Sequence, residues 1–297
     1  ALHPSAPFHR ALVVANPVAG RGQAAKAARE LATGLDRLGV VAEVHLTRGR
    51  GDGRSRVRCL EPGTDLVVSV GGDGTLREVF DGLVDPETPV AALPMGTANV
   101  LGLDLGLPRD VDSLLEVIRG RRTQRIDVAD VNGHLSFLVT GVGFDGHVVR
   151  ELEARRQGVI TKLSYLPAIL RALRAYRPPE LSVELDGEPL RGTFGLVLIS
   201  NIVHYGGVMR LRGRAAMDDG RFEVFLFPRA TIPALALAGL RGVVASLPAG
   251  RSCTMRPASR VRVTSPEPVP YQVDGDFRGT TPVELVVTGR QRLLLVP

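Results

Sequence analysis

The sequence lacks tryptophan, has only 4% aromatic residues, and contains just two lysines and two cysteines. Basic residues interleaved with aromatic ones are typical of surfaces that bind single-stranded nucleic acid, so their scarcity predicts no nucleic-acid partner. Cys59 and Cys253 are too few for a disulfide framework and have no metal-ligand spacing. Because no apolar run reaches roughly 18 residues and no signal-peptide pattern opens the chain, we expect a cytoplasmic protein without a transmembrane helix.

The length, composition and charge favour a globular protein with anionic partners. The 297 residues fit two domains better than one or three. Hydrophobic residues at 44% and charged residues at 23% exclude a disordered chain, a collagen and a coiled coil. The net charge of +6 and the pI of about 10.0 favour phosphate groups or an acidic membrane as partners.

Hydrophobic periodicity divides the chain near residue 124. Before this point we predict strands at 11–15, 40–46, 66–70 and 90–93, and helices at 23–38, 54–60, 76–83 and 111–119. After it we predict helices at 160–176 and 231–247, and strands at 126–131, 135–140, 181–185, 194–199, 222–227, 260–264, 269–273 and 283–287. The patterns indicate an α/β domain with a mostly parallel sheet over 1–124, then a β-rich, antiparallel sandwich-like domain over 125–289.

A glycine-rich loop, Gly71-Gly72-Asp73-Gly74-Thr75, joins a predicted strand to a predicted helix. Its glycines let the backbone approach a bulky ligand, and the helix start offers free N–H groups to phosphate. Asp73 would handle Mg²⁺ or act on a substrate hydroxyl, or it would only cap a tight turn. Other loops, at 16–22, after 46 and at 96–99, follow strands of the same predicted sheet, where open α/β folds bind ligands.

Other motifs carry weaker signals. The P-loop pattern is absent. The segment 141–146 matches G-x-G-x-x-G, but it lies in the β-rich half, so we interpret it as a turn or a close backbone contact. The arginine-bearing amphipathic stretch at 160–176 would lie on an anionic membrane or pack on a core, and His204 and Tyr205 would line a headgroup cleft or pack inside.

Two acidic turns also stand out. Asp274-Gly275-Asp276 follows a predicted strand, so its acids would bind Mg²⁺ or accept a proton, or the motif is only a hairpin turn. A second Asp-Gly pair, at 219–220, lies in the segment 217–222. This segment would hold a metal ion or form a metal-free turn between strands.

Three loops in this order and spacing resemble soluble bacterial lipid kinases of the diacylglycerol kinase catalytic-domain family. They are Asn16-Pro17 with Gly20-Arg21-Gly22, the glycine-rich loop with Glu78, and Gly96-Thr97-Ala98-Asn99. NAD kinases and, more loosely, phosphofructokinases share the glycine-rich loop, whereas the last loop and the 274–276 turn favour lipid kinases. The resemblance covers residues 12 to 297.

The resemblance implies ATP- and Mg²⁺-dependent phosphorylation of a lipid hydroxyl at an anionic membrane surface. It also implies that the last strand, within 290–297, returns to the first domain, and it leaves a homodimer open. The alternatives are an NAD kinase-like phosphotransferase and a catalytically inactive nucleotide-binding regulator. The sequence does not identify the lipid.

The resemblance further implies roles for individual residues. The ATP site would comprise Asn16, Pro17, Gly20, Arg21, Gly22, Thr47, Gly71, Gly72, Asp73, Gly74, Thr75, Glu78 and Thr97. A structural Mg²⁺ would be held by the Asp219 carboxylate and the carbonyls of Ala216 and Arg221. The family's usual Asp-Gly-Glu motif ends here in Asp276, one methylene shorter, so the proton acceptor would be Asp276, with Asp274 or Asp73 as the alternatives.

Overall fold

The computed structural model describes residues 8–154, 167, 169, 171–172, 176–205, 209–211, 216–228, 230–234 and 253–297. The chain divides into two compact units, Ala1–Ile126 with Gln291–Pro297, and Asp127–Arg290. Most residues of the two helices predicted at 160–176 and 231–247 lie outside the described residues. Within the described part, no helix is long and apolar enough to cross a membrane.

Strands alternate with helices in the first unit, whereas strands predominate among the described residues of the second. The helices are α1 (Ala24–Arg37), α2 (Asp52–Arg58), α3 (Asp73–Gly82), α4 (Val100–Leu105), α5 (Val111–Gly120) and α6 (Phe144–Ala154). The strands of the first half are β1 (Arg10–Ala15), β2 (Val41–Leu46), β3 (Leu66–Gly71), β4 (Val90–Pro94), β5 (Thr123–Ile126), β6 (Ala129–Val131), β7 (His134–Ser136) and β8 (Val139–Gly143). The later strands are β9 (Ser182–Leu185), β10 (Glu188–Pro189), β11 (Leu196–Ser200), β12 (His204–Tyr205), β13 (Met209–Arg210), β14 (Phe222–Phe227), β15 (Thr254–Ala258), β16 (Arg260–Thr264), β17 (Pro270–Val273), β18 (Asp276–Thr280), β19 (Val283–Val287) and β20 (Arg292–Leu295).

The first unit is built on a mostly parallel sheet with the strand order β2-β1-β3-β4-β20-β5, in which β5 runs antiparallel to β20. Every residue of β3 is buried, as expected for a central strand covered on both faces. On one face, α1 and α5 bury Leu31, Leu35 and Leu114 against the sheet. On the other, α2 lies against β1, where Gly53 is close to the Val14 side chain. The predicted α/β fold is confirmed.

The second unit contains two antiparallel six-stranded sheets. Their strand orders are β10-β9-β16-β19-β6-β7 and β15-β14-β11-β8-β17-β18. One hydrophobic core takes Val183 and Val261 from the first sheet and Val197 and Phe222 from the second. The two sheets therefore pack face to face, and the predicted β-rich sandwich is confirmed.

Side-chain and backbone contacts interrupt two strands that the sequence pattern predicts as continuous. The predicted strand at 126–131 breaks at Asp127, whose N–H donates to the carbonyl of Met217 at 2.6 Å. The predicted strand at 135–140 breaks where the Asp274 carboxylate accepts the N–H groups of Phe137 and Leu138. A backbone N–H that bonds to a distant residue is lost to the sheet ladder, so each strand divides in two.

The segment 141–146 joins β8 directly to α6, a helix that the sequence pattern did not predict. A Cβ atom on Gly146 would clash with the backbone of Pro270 and Tyr271, so glycine is required where α6 lies on β17. This agrees with the interpretation of the G-x-G-x-x-G match as a close backbone contact. The strands β15 and β18 were also not predicted, and the helix predicted at 54–60 instead spans Asp52–Arg58 as α2.

Candidate functional site

Three glycine-bearing loops of the first unit meet at one edge of its parallel sheet. The strands β1, β3 and β4 are adjacent and parallel, so the loops that follow them share the carboxyl edge. The N–H of Asn16 donates to Val70 at 3.0 Å, that of Gly20 to Met95 at 2.7 Å, and that of Met95 to Gly71 at 2.6 Å, each to a carbonyl oxygen. The loops that the sequence selected are therefore joined into one surface.

The glycines at this edge serve two different purposes. A Cβ atom on Gly96 would lie 2.5 Å from the Cα of Gly72, and one on Gly71 would clash with the Thr75 side chain. Gly72 and Gly96 thus let two loops pack together, whereas Gly71 makes room for Thr75 within its own loop. By contrast, Gly74 is exposed and a Cβ atom on it would meet nothing within 4 Å, so the backbone at this point of the first turn of α3 is open to a ligand.

Asp73 connects the glycine-rich loop to α4. Its Oδ2 accepts a hydrogen bond from the N–H of Val100 at 3.0 Å. Asn99, which precedes Val100, has a positive φ of 49° and bonds to Gly96 through both ends of its amide. The Asp73 side chain therefore fixes the third loop as well as its own.

Glu78 holds the loop that follows β2. Its two carboxylate oxygens accept the N–H groups of Gly51 and Gly53, at 2.7 and 3.0 Å. Thr47 lies at the start of this loop, and its N–H extends the sheet by donating to Ala15 at 2.9 Å. Because both Glu78 oxygens are used in this way, its placement favours an indirect contribution through the loop.

Asp52 provides a second anchor for the same loop. Its Oδ2 accepts the N–H of Arg48 at 2.9 Å and lies 3.0 Å from the Nε2 of His45. The hydrogen bond from Arg48 and the nearby His45 lower the pKa of Asp52 below its usual value. The sequence pattern gave no indication of this contact, because Asp52 stands in an ordinary polar turn.

Arg21 and Thr97 are exposed polar side chains of this edge. Arg21 adopts a positive φ of 55° beside Gly20 and Gly22, which do the same, so the loop turns sharply and leaves the guanidinium accessible. Thr97 is exposed between Gly96 and Asn99. Both positions suit contact with an anionic ligand. Pro17 is half-buried next to Asn16 and gives the loop its rigid start.

In the second unit, Asp274 and Gly275 form the two-residue turn between β17 and β18. Their positive φ angles, 49° and 85°, match the hairpin turn that Asp-Gly favours. The Asp274 carboxylate accepts four hydrogen bonds at 3.0 to 3.1 Å, from the Ser136 hydroxyl and from the N–H groups of Phe137, Leu138 and Val139. Asp274 therefore stabilises the corner between β7 and β8.

Asp276, the first residue of β18, has a different environment. Its Oδ2 accepts a hydrogen bond from the Nη2 of Arg278 at 3.0 Å. The side chains are only 18% and 19% exposed, so the pair is largely shielded from water. The two acids of the motif thus separate into one that supports the backbone and one that pairs with a cation.

The loop at 216–221 depends on an acid that the sequence analysis missed. Asp127, only 1% exposed, accepts the N–H of Gly220 at 2.6 Å through Oδ2. The exposed Asp219 accepts the N–H of Arg221 at 3.1 Å through Oδ1. Asp127 could have been suspected because it interrupts an apolar strand pattern. The described residues contain no group of three or more His, Cys, Asp or Glu side chains arranged to hold a metal.

Family profiles match both units. The profile of the diacylglycerol kinase catalytic domain matches residues 10–131, and that of the YegS C-terminal NAD kinase beta sandwich-like domain matches residues 139–295. The chain belongs to the diacylglycerol kinase family. Its assignment as a lipid kinase, predicted from the three loops and the 274–276 turn, is confirmed.

Individual relatives of this lipid kinase match over nearly their whole length. The diacylglycerol kinase of Bacillus subtilis (strain 168) is 26% identical over 97% of this chain and 96% of its own. That of Staphylococcus saprophyticus is 26% identical over 92% and 90%. A crystal structure of a Bacillus anthracis diacylglycerol kinase has the same fold, with a TM-score of 0.75, 19% identity, and coverage of 99% and 98%.

Proposed function

We propose that this lipid kinase transfers the γ-phosphate of ATP, bound as its Mg²⁺ complex, to the hydroxyl of a diacylglycerol-like lipid. The observation that carries the proposal is the joining of the loops after β1, β3 and β4 by backbone hydrogen bonds at one sheet edge. Phosphoryl transfer depends mainly on positioning and charge neutralisation, and such a surface supplies both.

In this proposal the nucleotide phosphates lie along the three loops. The start of α3, where Gly74 is exposed, offers backbone N–H groups and the positive end of the helix dipole. The exposed Arg21 supplies a guanidinium for a phosphate oxygen. Asp73 is an acid in the first turn of α3 and would face the metal ion carried by ATP.

We assign the proton acceptor to Asp276. The lipid oxygen attacks the γ-phosphorus, the bond to the oxygen that bridges the β and γ phosphates breaks, ADP leaves, and the hydroxyl proton passes to the carboxylate. Asp274 is less suited to this role because its carboxylate already accepts four hydrogen bonds. The Asp276 carboxylate is instead oriented by the hydrogen bond that it accepts from Arg278.

The loop at 216–221 suits a structural Mg²⁺. One carboxylate, from Asp219, and the carbonyl oxygens of Ala216 and Arg221 are hard oxygen ligands, which Mg²⁺ prefers together with water. Asp219 is exposed, so its carboxylate is accessible to an ion. When bound, the ion would neutralise charge and stiffen this loop.

The choice of a diacylglycerol-like lipid as the phosphate acceptor rests on the names of the relatives and on the net charge of the chain. The curated relatives carry the name diacylglycerol kinase, and the net charge of +6 favours an anionic membrane surface as the place where the lipid is met. The arginine-bearing stretch at 160–176, predicted as one candidate for membrane contact, lies mostly outside the described residues.

The test is a kinase assay with labelled ATP, Mg²⁺ and a total lipid extract, followed by mass spectrometry of the phosphorylated product. We expect label on a lipid hydroxyl, with diacylglycerol as an acceptor, and loss of activity when Mg²⁺ is chelated. Label on NAD, or nucleotide binding without turnover, would contradict the proposal.

Paired variants test the proton acceptor. Asp276→Asn should lower the kcat of lipid phosphorylation to a small residual value while ATP binding and the melting temperature are retained, and Asp276→Glu should keep substantial activity. Asp274→Asn should lower the melting temperature, because an amide cannot accept all four hydrogen bonds. Asp130→Asn, in another hairpin of the same unit, is the matched control. Normal turnover by Asp276→Asn with a dead but stable Asp274→Asn would transfer the role to Asp274.

A further inference from the structure

We propose that Asp145 and Gln272 are positioning residues that hold Asp276 in place for proton transfer. The inference rests on the proposed role of Asp276. It assigns a purpose to the 141–146 motif, which forms a close backbone contact and has no part in the nucleotide surface.

The motif creates room for a carboxylate. Asp145 lies in the first turn of α6 and folds back towards β8, where a Cβ atom on Gly141 would clash with its Oδ2. Its Oδ1 accepts a hydrogen bond from the hydroxyl of Tyr205, and its Oδ2 accepts one from the Nε2 of Gln272 at 2.6 Å. Gly141 therefore leaves space for the Asp145 carboxylate, which bonds to side chains of the strands β12 and β17.

Gln272 links the Asp145 carboxylate to the turn formed by Asp274 and Gly275. Its Oε1 accepts the N–H of Gly275 at 2.7 Å. The Asp145 carboxylate requires the NH₂ end of the amide, and the Gly275 N–H requires its oxygen, so the two partners fix a single orientation of the Gln272 amide. The residue directly before Asp276 is thus bonded through Gln272 to α6.

The same helix holds the residue directly after Asp276. The N–H of Phe277 donates to the Oε1 of Glu153, in the last turn of α6, at 3.3 Å. The backbone is therefore attached to α6 on both sides of Asp276, once through Gln272 and once directly. A proton acceptor must lie about 2.6–3.2 Å from its hydroxyl, so this double attachment bears directly on the reaction.

Burying the Asp145 carboxylate costs free energy, so a purely structural role explains this network poorly. Burial raises the pKa of Asp145, while the hydrogen bonds from Tyr205 and Gln272 oppose that rise. Well-packed apolar residues often stabilise a fold as well as such a carboxylate does. A buried carboxyl group whose pKa is shifted in this way is more typical of functional sites.

The test compares two neighbouring residues of β17. Gln272→Met keeps the side-chain length and removes the hydrogen bonds to Asp145 and Gly275, together with a longer one to the carbonyl of Val139. Tyr271→Phe is the matched control, because Tyr271 is also buried and its hydroxyl accepts a hydrogen bond from Asn132 instead. For each purified full-length variant, kcat, the KM for ATP and the melting temperature are measured, and hydrogen exchange is followed in peptides that cover 270–280.

We expect Gln272→Met to lower kcat by about 10²-fold, the scale of a misplaced reacting group, with the KM for ATP unchanged and faster exchange at the turn. Tyr271→Phe should keep the wild-type kcat. If Gln272→Met is poorly folded, Gln272→Asn replaces it, because its shorter amide cannot reach both partners. Gln272→Asn should likewise lower kcat and leave the KM for ATP unchanged. Equal kcat values for the Gln272 and Tyr271 variants would overturn the inference and leave the proposed function intact.

A double mutant separates this inference from the proposed function. If Gln272 acts through Asp276, Gln272→Met should reduce the residual kcat of Asp276→Asn little further, because residues that act as a unit are non-additive. Full additivity would show that Gln272 acts elsewhere and would overturn the inference. Normal turnover by Asp276→Asn alone would overturn the proposed proton acceptor and, with it, this role of Gln272.

Discussion

The Asp73 carboxylate accepts a hydrogen bond from the backbone N–H of Val100, with 3.0 Å between Oδ2 and the nitrogen. Asp73 begins α3 and Val100 begins α4, so one side chain joins the helices that follow β3 and β4. Its charge and its hydrogen bond can be removed separately. An asparagine keeps an acceptor for Val100 but loses the charge, whereas an alanine loses both.

We predict that Asp73→Asn leaves the melting temperature nearly unchanged and lowers kcat/KM by at least about 10²-fold, the scale for an acid–base or metal-facing group. Asp73→Ala should lower both. The control is Asp110→Asn, because Asp110 likewise accepts an N–H group at a helix start, that of Ser113. Near-wild-type turnover by a folded Asp73→Asn protein would remove Asp73 from the mechanism.

Glu78 should affect nucleotide binding through the loop after β2. In Glu78→Gln, one of the N–H groups of Gly51 and Gly53 loses its acceptor. We expect the KM for ATP to rise roughly 5- to 10-fold, the size of about 1 kcal/mol, with a smaller change in kcat. Glu87→Gln, which removes an exposed partner of Arg125, provides the comparison. An unchanged KM for ATP would show that this loop does not contribute to the nucleotide site.

The loops of the first unit were predictable because their signals are short-range. Glycine, asparagine and acid positions lie within a few residues of each strand end, and parallel strands bring those ends together. The roles of individual acids were not predictable in this way. Glu78 bonds to Gly51 and Gly53, which are 27 and 25 residues away. No local pattern distinguishes such an anchor from a direct ligand.

The 274–276 turn illustrates the same limit more strongly. Asp-Gly correctly predicted a hairpin, and the family resemblance selected the same segment for a catalytic role. The donors to Asp274, however, lie 135 to 138 residues away along the chain. Because a carboxylate's role depends on which donors surround it, only the folded arrangement distinguishes Asp274 from Asp276. The helix α6 was missed because its glycine-containing start does not show a helical pattern.

The pH dependence of stability should reveal Asp145. Burial raises the pKa of Asp145 above its ordinary value of 3.8. The folded state therefore binds a proton more tightly than the unfolded state, so this group favours folding at low pH and loses that contribution as pH rises from 3.8 through the folded pKa. Asparagine does not titrate, and its amide can bond to both Tyr205 and Gln272. Wild type should therefore lose free energy of unfolding, relative to Asp145→Asn, as pH rises through this window.

Denaturant unfolding at a series of pH values from about 3 to 8 measures this difference and also covers the window below 3.8 in which Asp110 titrates. Asp110 gives a control of opposite sign, because its hydrogen bonds with Ser113 lower its pKa. Relative to Asp110→Asn, wild type should gain stability as pH rises. A pH-independent difference between wild type and Asp145→Asn would show that Asp145 has the same pKa in both states.

Arg292 connects the last strand to the helix that begins at Asp73. Its guanidinium is buried and donates to the carbonyl oxygens of Phe80 and Leu83, at 2.9 and 3.4 Å, where α3 ends. A cation at a helix C-terminus also interacts favourably with the helix dipole. Arg292 thus holds the far end of α3 while Asp73 holds the near end against α4.

We predict that Arg292→Met lowers the free energy of unfolding by about 2 kcal/mol, since it removes charge-assisted hydrogen bonds from buried carbonyl groups. Arg119→Met, which removes only an exposed ion pair with Glu116, should change it by less than about 0.5 kcal/mol. Chemical denaturation followed by circular dichroism measures both. Because α3 also carries Asp73, the KM for ATP of Arg292→Met should rise even at temperatures where the variant is fully folded. If Arg292→Met unfolds at the same denaturant concentration as Arg119→Met, the return of the last strand contributes no anchoring to α3, and the strand pairing of β20 alone accounts for its place in the sheet.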